Sequence, residues 1–293
     1  MNLFQALAQL PASQEVSGPI PDYLYGAFRR KSISFSNGLT DEKTIVYWFQ
    51  SRSFTIDLRL KSREDTPVNE RQGWIGNTLW NAEQQLLSWG VKAHSNYQNH
   101  VQWPEPAKLH AIGNCILEFS PSNAYVEDWR QQVHEGLFLG LRLKSALDVE
   151  SHQPLQMDGG LIICDKHVAF ALSRLPTDQH TVASIDISSA PTMYETLIES
   201  FEVSIAVDGL HKYYTTTSSQ QDQSLNFDHF EFIDETHLKQ NLIINGQAIQ
   251  LIFEVDIYVP HFAFQHRTDT TTESTDWLQN EKQHLLYHAV ECL

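Results

Sequence analysis

The residues of this chain best suited to chemistry begin in the run Thr44 to Lys61. Asp57 and Arg59 stand two apart there, so on a β-strand they share one face and can form an ion pair. Trp48 and Gln50 share a face of the strand before it. Farther on, Glu118 belongs to one apolar strand, and Tyr125, Glu127 and Trp129 fall on one side of the next. Carboxylates, an arginine and indoles gathered on one side of a sheet have the composition of a ligand pocket, with apolar walls and a few polar groups. Arg59 would meet an anionic or carbonyl group, and Gln50, Glu118 and Tyr125 would hydrogen-bond it. Trp48 and Trp129 would wall it, with Asp57 and His94 completing the ligand-binding set. Burial would raise the pKa of Glu118 or Glu127, so either could move a proton while Arg59 stabilises developing negative charge and Tyr125 assists. The alternative is that this face is the solvated exterior of the sheet.

Other chemistry is thinner. There is no G-x-S-x-G, no Walker loop and no Rossmann glycine pattern after a strand. The 14 histidines include no H-x-H or H-E-x-x-H. Glu281, His284 and His288 would line one helical face, a spacing that suits a divalent metal or simply a solvated surface, and the expectation is no metal and no cofactor. Cys115, Cys164 and Cys292 are odd in number, far apart and without a C-x-x-C, which fits free thiols in a reducing cytoplasm. Cys115 and Cys164 sit in apolar strand contexts and read as core.

The elements that must hold the candidate residues are strands. Phe54, Ile56, Leu58 and Leu60 alternate with polar neighbours at period 2. Tyr25–Phe35 reads as a strand whose Arg29, Arg30 and Lys31 blunt a solvated edge. Strand signals follow at Trp74–Trp80 and Gln85–Ala93, then a segment rich in aromatics and histidine from His94 to Trp103. Leu109–Phe119 reads as one strand. Gly140–Ser145 echoes Asp57–Ser62, which fits a duplication. Hairpins are expected around Asp165-Lys166, Asp208-Gly209 and Asn245-Gly246, where the last two pairs tolerate positive φ. A short N-terminal helix carries Leu3, Leu7 and Leu10. A closing helix runs from a cap at Ser274 or Thr275 to about Glu291, with Leu278, Leu285 and Ala289 on one side, packing on a barrel wall or plugging a barrel mouth.

The totals restrict the partners. The chain has 293 residues, 41% of them hydrophobic, which is ample for a folded core, and a formal charge of -16 that disfavours nucleic acid and anionic membrane. Phe4 to Leu10 is too polar for a signal-peptide core, and nothing approaches a membrane-spanning run.

Trp48-x-Gln50, Phe54-x-x-Asp57-x-Arg59, Trp74-Ile-Gly76, Leu117-Glu118 and Tyr125-x-Glu127-x-Trp129-Arg130 together resemble a small family of bacterial and fungal two-barrel proteins. Gly159–Phe170 resembles that family's first strong hairpin of the second barrel. The fungal members are described as cytoplasmic partners of a casein kinase. The resemblance spans roughly residues 44–175 and implies two calycin-like, lipocalin-type antiparallel barrels in tandem. The chain departs from the family pattern at Trp74-Ile75-Gly76 and in its longer C-terminal tail.

The reading is therefore an all-β protein with a first barrel at 1–132 holding the cavity, a second at 133–262, and a linker and helix at 263–293. A cytoplasmic receptor for a small apolar or amphipathic molecule is the leading function. A cofactor-free isomerase, cyclase or lyase and a protein-interaction module using the C-terminal helix are the alternatives.

Overall fold

The computed structural model describes residues 1–13, 16–101 and 106–287. Trp103, His288, Ala289, Glu291 and Cys292, named above, lie outside the described residues. The first half is an antiparallel meander of β1 (Gly26–Phe35), β2 (Thr40–Asp41), β3 (Ile45–Gln50), β4 (Phe54–Leu60), β5 (Gln72–Asn81), β6 (Leu86–Gly90), β7 (Ala107–Ile112), β8 (Cys115–Phe119) and β9 (Tyr125–Gln131). Strand β1 also pairs with β9, so eight strands close into a barrel and only the two-residue β2 stands outside the ring. Closure removes the exposed edges. The expected single strand Leu109–Phe119 is two strands, because Gly113 takes φ +56 and turns the chain between Ile112 and Cys115.

The second half contributes β10 (Glu135–Asp148), β11 (Pro154–Leu155), β12 (Gly159–Cys164), β13 (His167–Leu172), β14 (Glu202–Ala206), β15 (Tyr214–Thr215), β16 (Phe230–Asp234), β17 (His237–Ile244) and β18 (Gln247–Ala263). Their order is β15-β14-β13-β12-β10-β18-β17-β16, with β11 beside β10, and the sheet does not close. The expected second barrel is thus an open sheet here. Its concavity is occupied by the chain's own start. Helix α1 (Leu3–Leu7), capped by Asn2 and Gln5, buries Leu3, Ala6 and Leu7 among Leu139, Leu161, Leu238 and Phe253. Backbone bonds from Leu3 to Phe227 and from Phe230 to Met1 fasten it. Residues 1–10 therefore pack with the second half although they precede the first. The Asn245-Gly246 turn is as expected, at φ +51 and +80 between Ile244 and Gln247. At Asp208-Gly209 the pairing begins later, at Tyr214, and leaves a longer loop. Short α2 (Pro176–Val182) and α3 (Glu195–Ile198) lie between β13 and β14.

The other face of the open sheet lies against the outside of the barrel. Phe54, Ile56, Leu58 and Ile75 form one buried cluster with Ile162, Cys164, Ala169, Ala171, Val203 and Ile205. Small residues permit the approach. A Cβ on Gly160 would meet Ile75 at 2.8 Å and Phe54 at 3.0 Å. Polar bonds lock the same join: Asp256 accepts from Ser51 at 2.5 Å and from Ser53 at 2.6 Å, and Arg71 pairs with Glu199. Helix α4 (Thr272–Leu286) starts at a Thr271 cap and buries no residue, so it neither packs on a wall nor plugs a mouth. No helix among the described residues is long and apolar enough to cross a membrane.

Two outcomes follow. Gly160→Leu should destabilise the chain by about 1–3 kcal/mol in urea unfolding, because the side chain has no room between the layers. Removing residues 271–293 should leave the melting temperature within about 2 °C of the full chain, since helix α4 buries no residue.

Candidate functional site

Register places the candidate residues inside the barrel. Trp48 pairs with Asp57, Gln50 with Thr55 and Val46 with Arg59 across β3 and β4, while Asp57 pairs with Trp74 and Thr55 with Gly76 across β4 and β5. Directly paired residues share a face. The opposite face, that of Phe54, Ile56 and Leu58, is covered by the second sheet. Asp57 and Arg59 therefore point into the lumen. Electrostatic coupling agrees, since Arg59 on β4 feels Glu118 on β8, across the ring.

Three layers line the lumen along β3 to β5. At one level Gln50 donates to Thr78 at 2.8 Å and accepts from Thr55 at 2.6 Å and from the Trp48 indole at 3.3 Å, a closed network. Above it stand the indoles. Trp48 stacks on Phe28 at 4.9 Å and meets Trp129 at 5.7 Å and Trp89 at 6.2 Å edge-on, and Trp89 lies 6.0 Å from Trp74. Such T-shaped and offset contacts are the favoured aromatic geometries. The third layer is charged. Arg59 forks onto Asp57 (Nε to Oδ1, 2.9 Å), and Arg30 bridges Glu127 at 2.7 Å and Asp41 at 2.9 Å. The Trp129 indole donates to Glu118 at 2.9 Å.

Enclosure sets the protonation. Burial raises the Asp57 carboxyl, and Arg59 opposes it. Burial also works against the Arg59 charge, but the carboxylates of Asp57 and Glu127 more than offset it. Glu118 is pushed up to about 8, first by burial and then by the charge of Glu127, which faces it directly on β9; Arg59 and the Trp129 N–H only partly compensate. Glu127 is bonded to Arg30, whereas Glu118 has no ion pair among the described residues. Although enclosed by protein, Arg59 keeps 32% of its side-chain surface accessible, so open space lies before it.

Two polar atoms of the lumen are left over. The indole N–H groups of Trp74 and Trp89 are sealed from water and have no acceptor among the described residues. An unmet buried donor costs about 1–3 kcal/mol, and native structures hold few of them.

Not every expected residue joins this set. Tyr125 is half-buried on the face of Glu127 and Trp129, at the start of β9. His94 sits in a 3-10 turn (Ala93–Ser95) with Asp158, Lys92 and Arg142 as its charged neighbours, at the join of the two halves and not in the barrel. Arg30 was expected on a solvated edge and is instead 8% exposed, inside. It shares the parity of Phe28, which lies against Trp48, and the register slip that follows, between Arg30 and Ser32, hands the inward face on to Ile33. Trp74, Trp89, Thr55 and Thr78 were also missed as lumen residues. The period-2 spacing of Trp74, Gly76 and Thr78 is the signal that could have found Trp74 and Thr78. Cys115 is half-buried, not core, and lies 3.4 Å from Asp128; Cys164 is buried, and burial raises both thiols. Glu281 and His284 form an exposed 3.1 Å pair, and no cluster suited to a metal occurs among the described residues.

The raised Glu118 predicts a pH dependence of stability. Between about pH 4.5 and 8 the unfolded chain loses this proton while the folded chain keeps it, so stability declines as pH rises through that window. Glu118→Gln keeps an acceptor for Trp129 and removes the titration. Its melting temperature relative to the parent should be higher at pH 8 than at pH 5, and an equal difference at both values would contradict the assignment. No family model, curated protein or solved structure matches this chain.

Proposed function

We propose that the barrel of residues 26–131 is a receptor for a small, mostly apolar molecule with a polar head. The observation that carries this reading is the filling of the lumen: a closed eight-stranded ring in which four indoles and two arginine–carboxylate pairs stand among aliphatic residues such as Val46, Leu109 and Ile116. A barrel kept only for stability gains more from close-packed leucine and valine, since buried ion pairs are often no better than hydrophobic replacements. Trp48, Trp74, Trp89 and Trp129 supply the apolar walls. Arg59, with open space before it, and Glu118 meet the polar head. The likeness to calycin-type, two-barrel proteins of the cytoplasm belongs to this same reading, with the second half having given up closure.

A second reading rests on Glu118. A carboxylic acid kept protonated at neutral pH beside a guanidinium is equipped for proton transfer, as a cofactor-free isomerase, cyclase or lyase would require. A third rests on α4, whose Leu278, Leu285 and Leu286 stand exposed and open to a protein partner.

Native mass spectrometry of the full chain from cells that make it should reveal one small molecule per chain, released on denaturation. With that molecule in hand, Glu118→Gln separates the readings. A receptor keeps its affinity within about threefold, whereas an enzyme keeps binding and loses on the order of a hundredfold in turnover. A bare mass, with no quenching of tryptophan fluorescence by an apolar cell extract, would count against the receptor.

A further inference from the structure

Helix α1 leaves part of the second sheet's concavity unfilled. Because that sheet does not close, two adjoining recesses remain between β13 on one side and β17 on the other, sharing Phe170, Lys212, Asn226 and Leu242 as walls. The inner one, of about 40 Å³, is bounded by Leu161, Phe230 and Phe253 and has room for the end of a chain. The outer one, of about 330 Å³, opens to solvent and is the size of a small-molecule site. Phe170, Phe227, Leu242 and Ile244 pack against the core here and are nevertheless only partly buried.

The outer recess carries one cation and two carboxylates: Lys212, Glu202 and Asp178. Lys212, with 8% of its side chain exposed, is already held by Glu202 at 2.7 Å and by the Gln220 side-chain oxygen at 2.6 Å. Asp178, half-buried in the first turn of α2, has no ion pair among the described residues and accepts only a 3.4 Å bond from Asn245 of the β17–β18 turn. Arg174 feels its charge but gives its Nη2 to the carbonyls of Tyr97 and Ile198, at 2.9 and 2.6 Å. An anionic head would thus face Asp178 and Glu202 with Lys212 already neutralised, on a chain whose formal charge is -16. A cationic head would meet a carboxylate that has no cation bonded to it.

We infer that this recess is a second binding site, for a small cationic amphiphile whose ammonium donates to Asp178 and whose tail lies along Phe170 and Leu242. The ammonium–carboxylate bond supplies selectivity, and the apolar walls supply affinity at about 0.8 kcal/mol for each methylene buried. The site draws on no residue of the barrel lumen, so it stands whether or not the barrel takes a ligand.

Three probes with one alkyl chain test it by calorimetry on the full chain at neutral pH: octylamine, octanol and octanoate. The amine should bind about tenfold tighter than the alcohol, with octanoate weakest, and its advantage should shrink as salt rises from about 0.02 to 0.5 M. Asp178→Asn keeps the shape and removes the charge, so the amine should fall to within about twofold of the alcohol. Leu242→Trp fills the shared wall and should weaken all three probes about tenfold. Melting curves check that each variant folds, and Asp178→Asn decides by itself if Leu242→Trp does not. Equal binding of amine and alcohol, tightest binding of octanoate, no binding of any probe, or an amine preference that survives Asp178→Asn overturns the inference. Each of those results leaves the barrel receptor standing.

Discussion

The packing of the second sheet against the outside of the barrel is the constraint on which the molecule depends. Most small barrels keep apolar residues within and polar ones toward water. Here Phe54, Ile56, Leu58 and Ile75 are buried outside the ring, against Ile162, Ala169, Ala171 and Val203. Once those positions are satisfied by a neighbouring layer, the period-2 geometry of β4 leaves its alternate residues no choice but the lumen. Asp57 and Arg59 are internal because their apolar neighbours found cover elsewhere. Gly160 and Gly73, whose Cβ atoms would strike Ile75 and Val203 at 2.8 Å, let the layers come that close.

A polar lumen is costly, and its parts compensate one another. Each guanidinium has a carboxylate, the carboxyl left with no cation of its own holds a proton, and Gln50 makes a full set of bonds with Thr55, Thr78 and the backbone. Among the described residues of the lumen, what goes unsatisfied is narrow: two indole N–H groups in neighbouring rings. In the second half α1 lays Leu3, Ala6 and Leu7 on the open sheet among aliphatic and aromatic side chains. The two halves thus divide the work. One braces from outside, and the other is closed and carries charge within. Arg174 belongs to the brace: a buried guanidinium held by the carbonyls of Tyr97 and Ile198 and by the faces of Tyr97 and Phe201.

Much of this was legible from local pattern. The strands of the first half, the Asn245-Gly246 turn and the two short terminal helices follow from alternation, turn residues and caps, which act over a few residues. The grouping of Trp48 with Gln50, of Asp57 with Arg59 and of Glu127 with Trp129 follows from parity alone. Arg30 was not legible, because three successive basic residues look like surface charge although Arg30 has the parity of Phe28, and its carboxylate partner Glu127 is 97 residues away. Nor was the place of His94, which depends on a turn brought beside Asp158 and Arg142 of the other half.

By itself, the order of residues determined which side chains share a face of each strand and where the chain turns, since both are set by backbone geometry over two to four positions. It left undecided which face looks inward. That was settled in three dimensions, by the closing of β1 on β9 and by the second sheet taking the apolar face for itself. It also left undecided that the second half stays open, because its core is completed by a helix more than a hundred residues away in sequence, a contact no local pattern encodes.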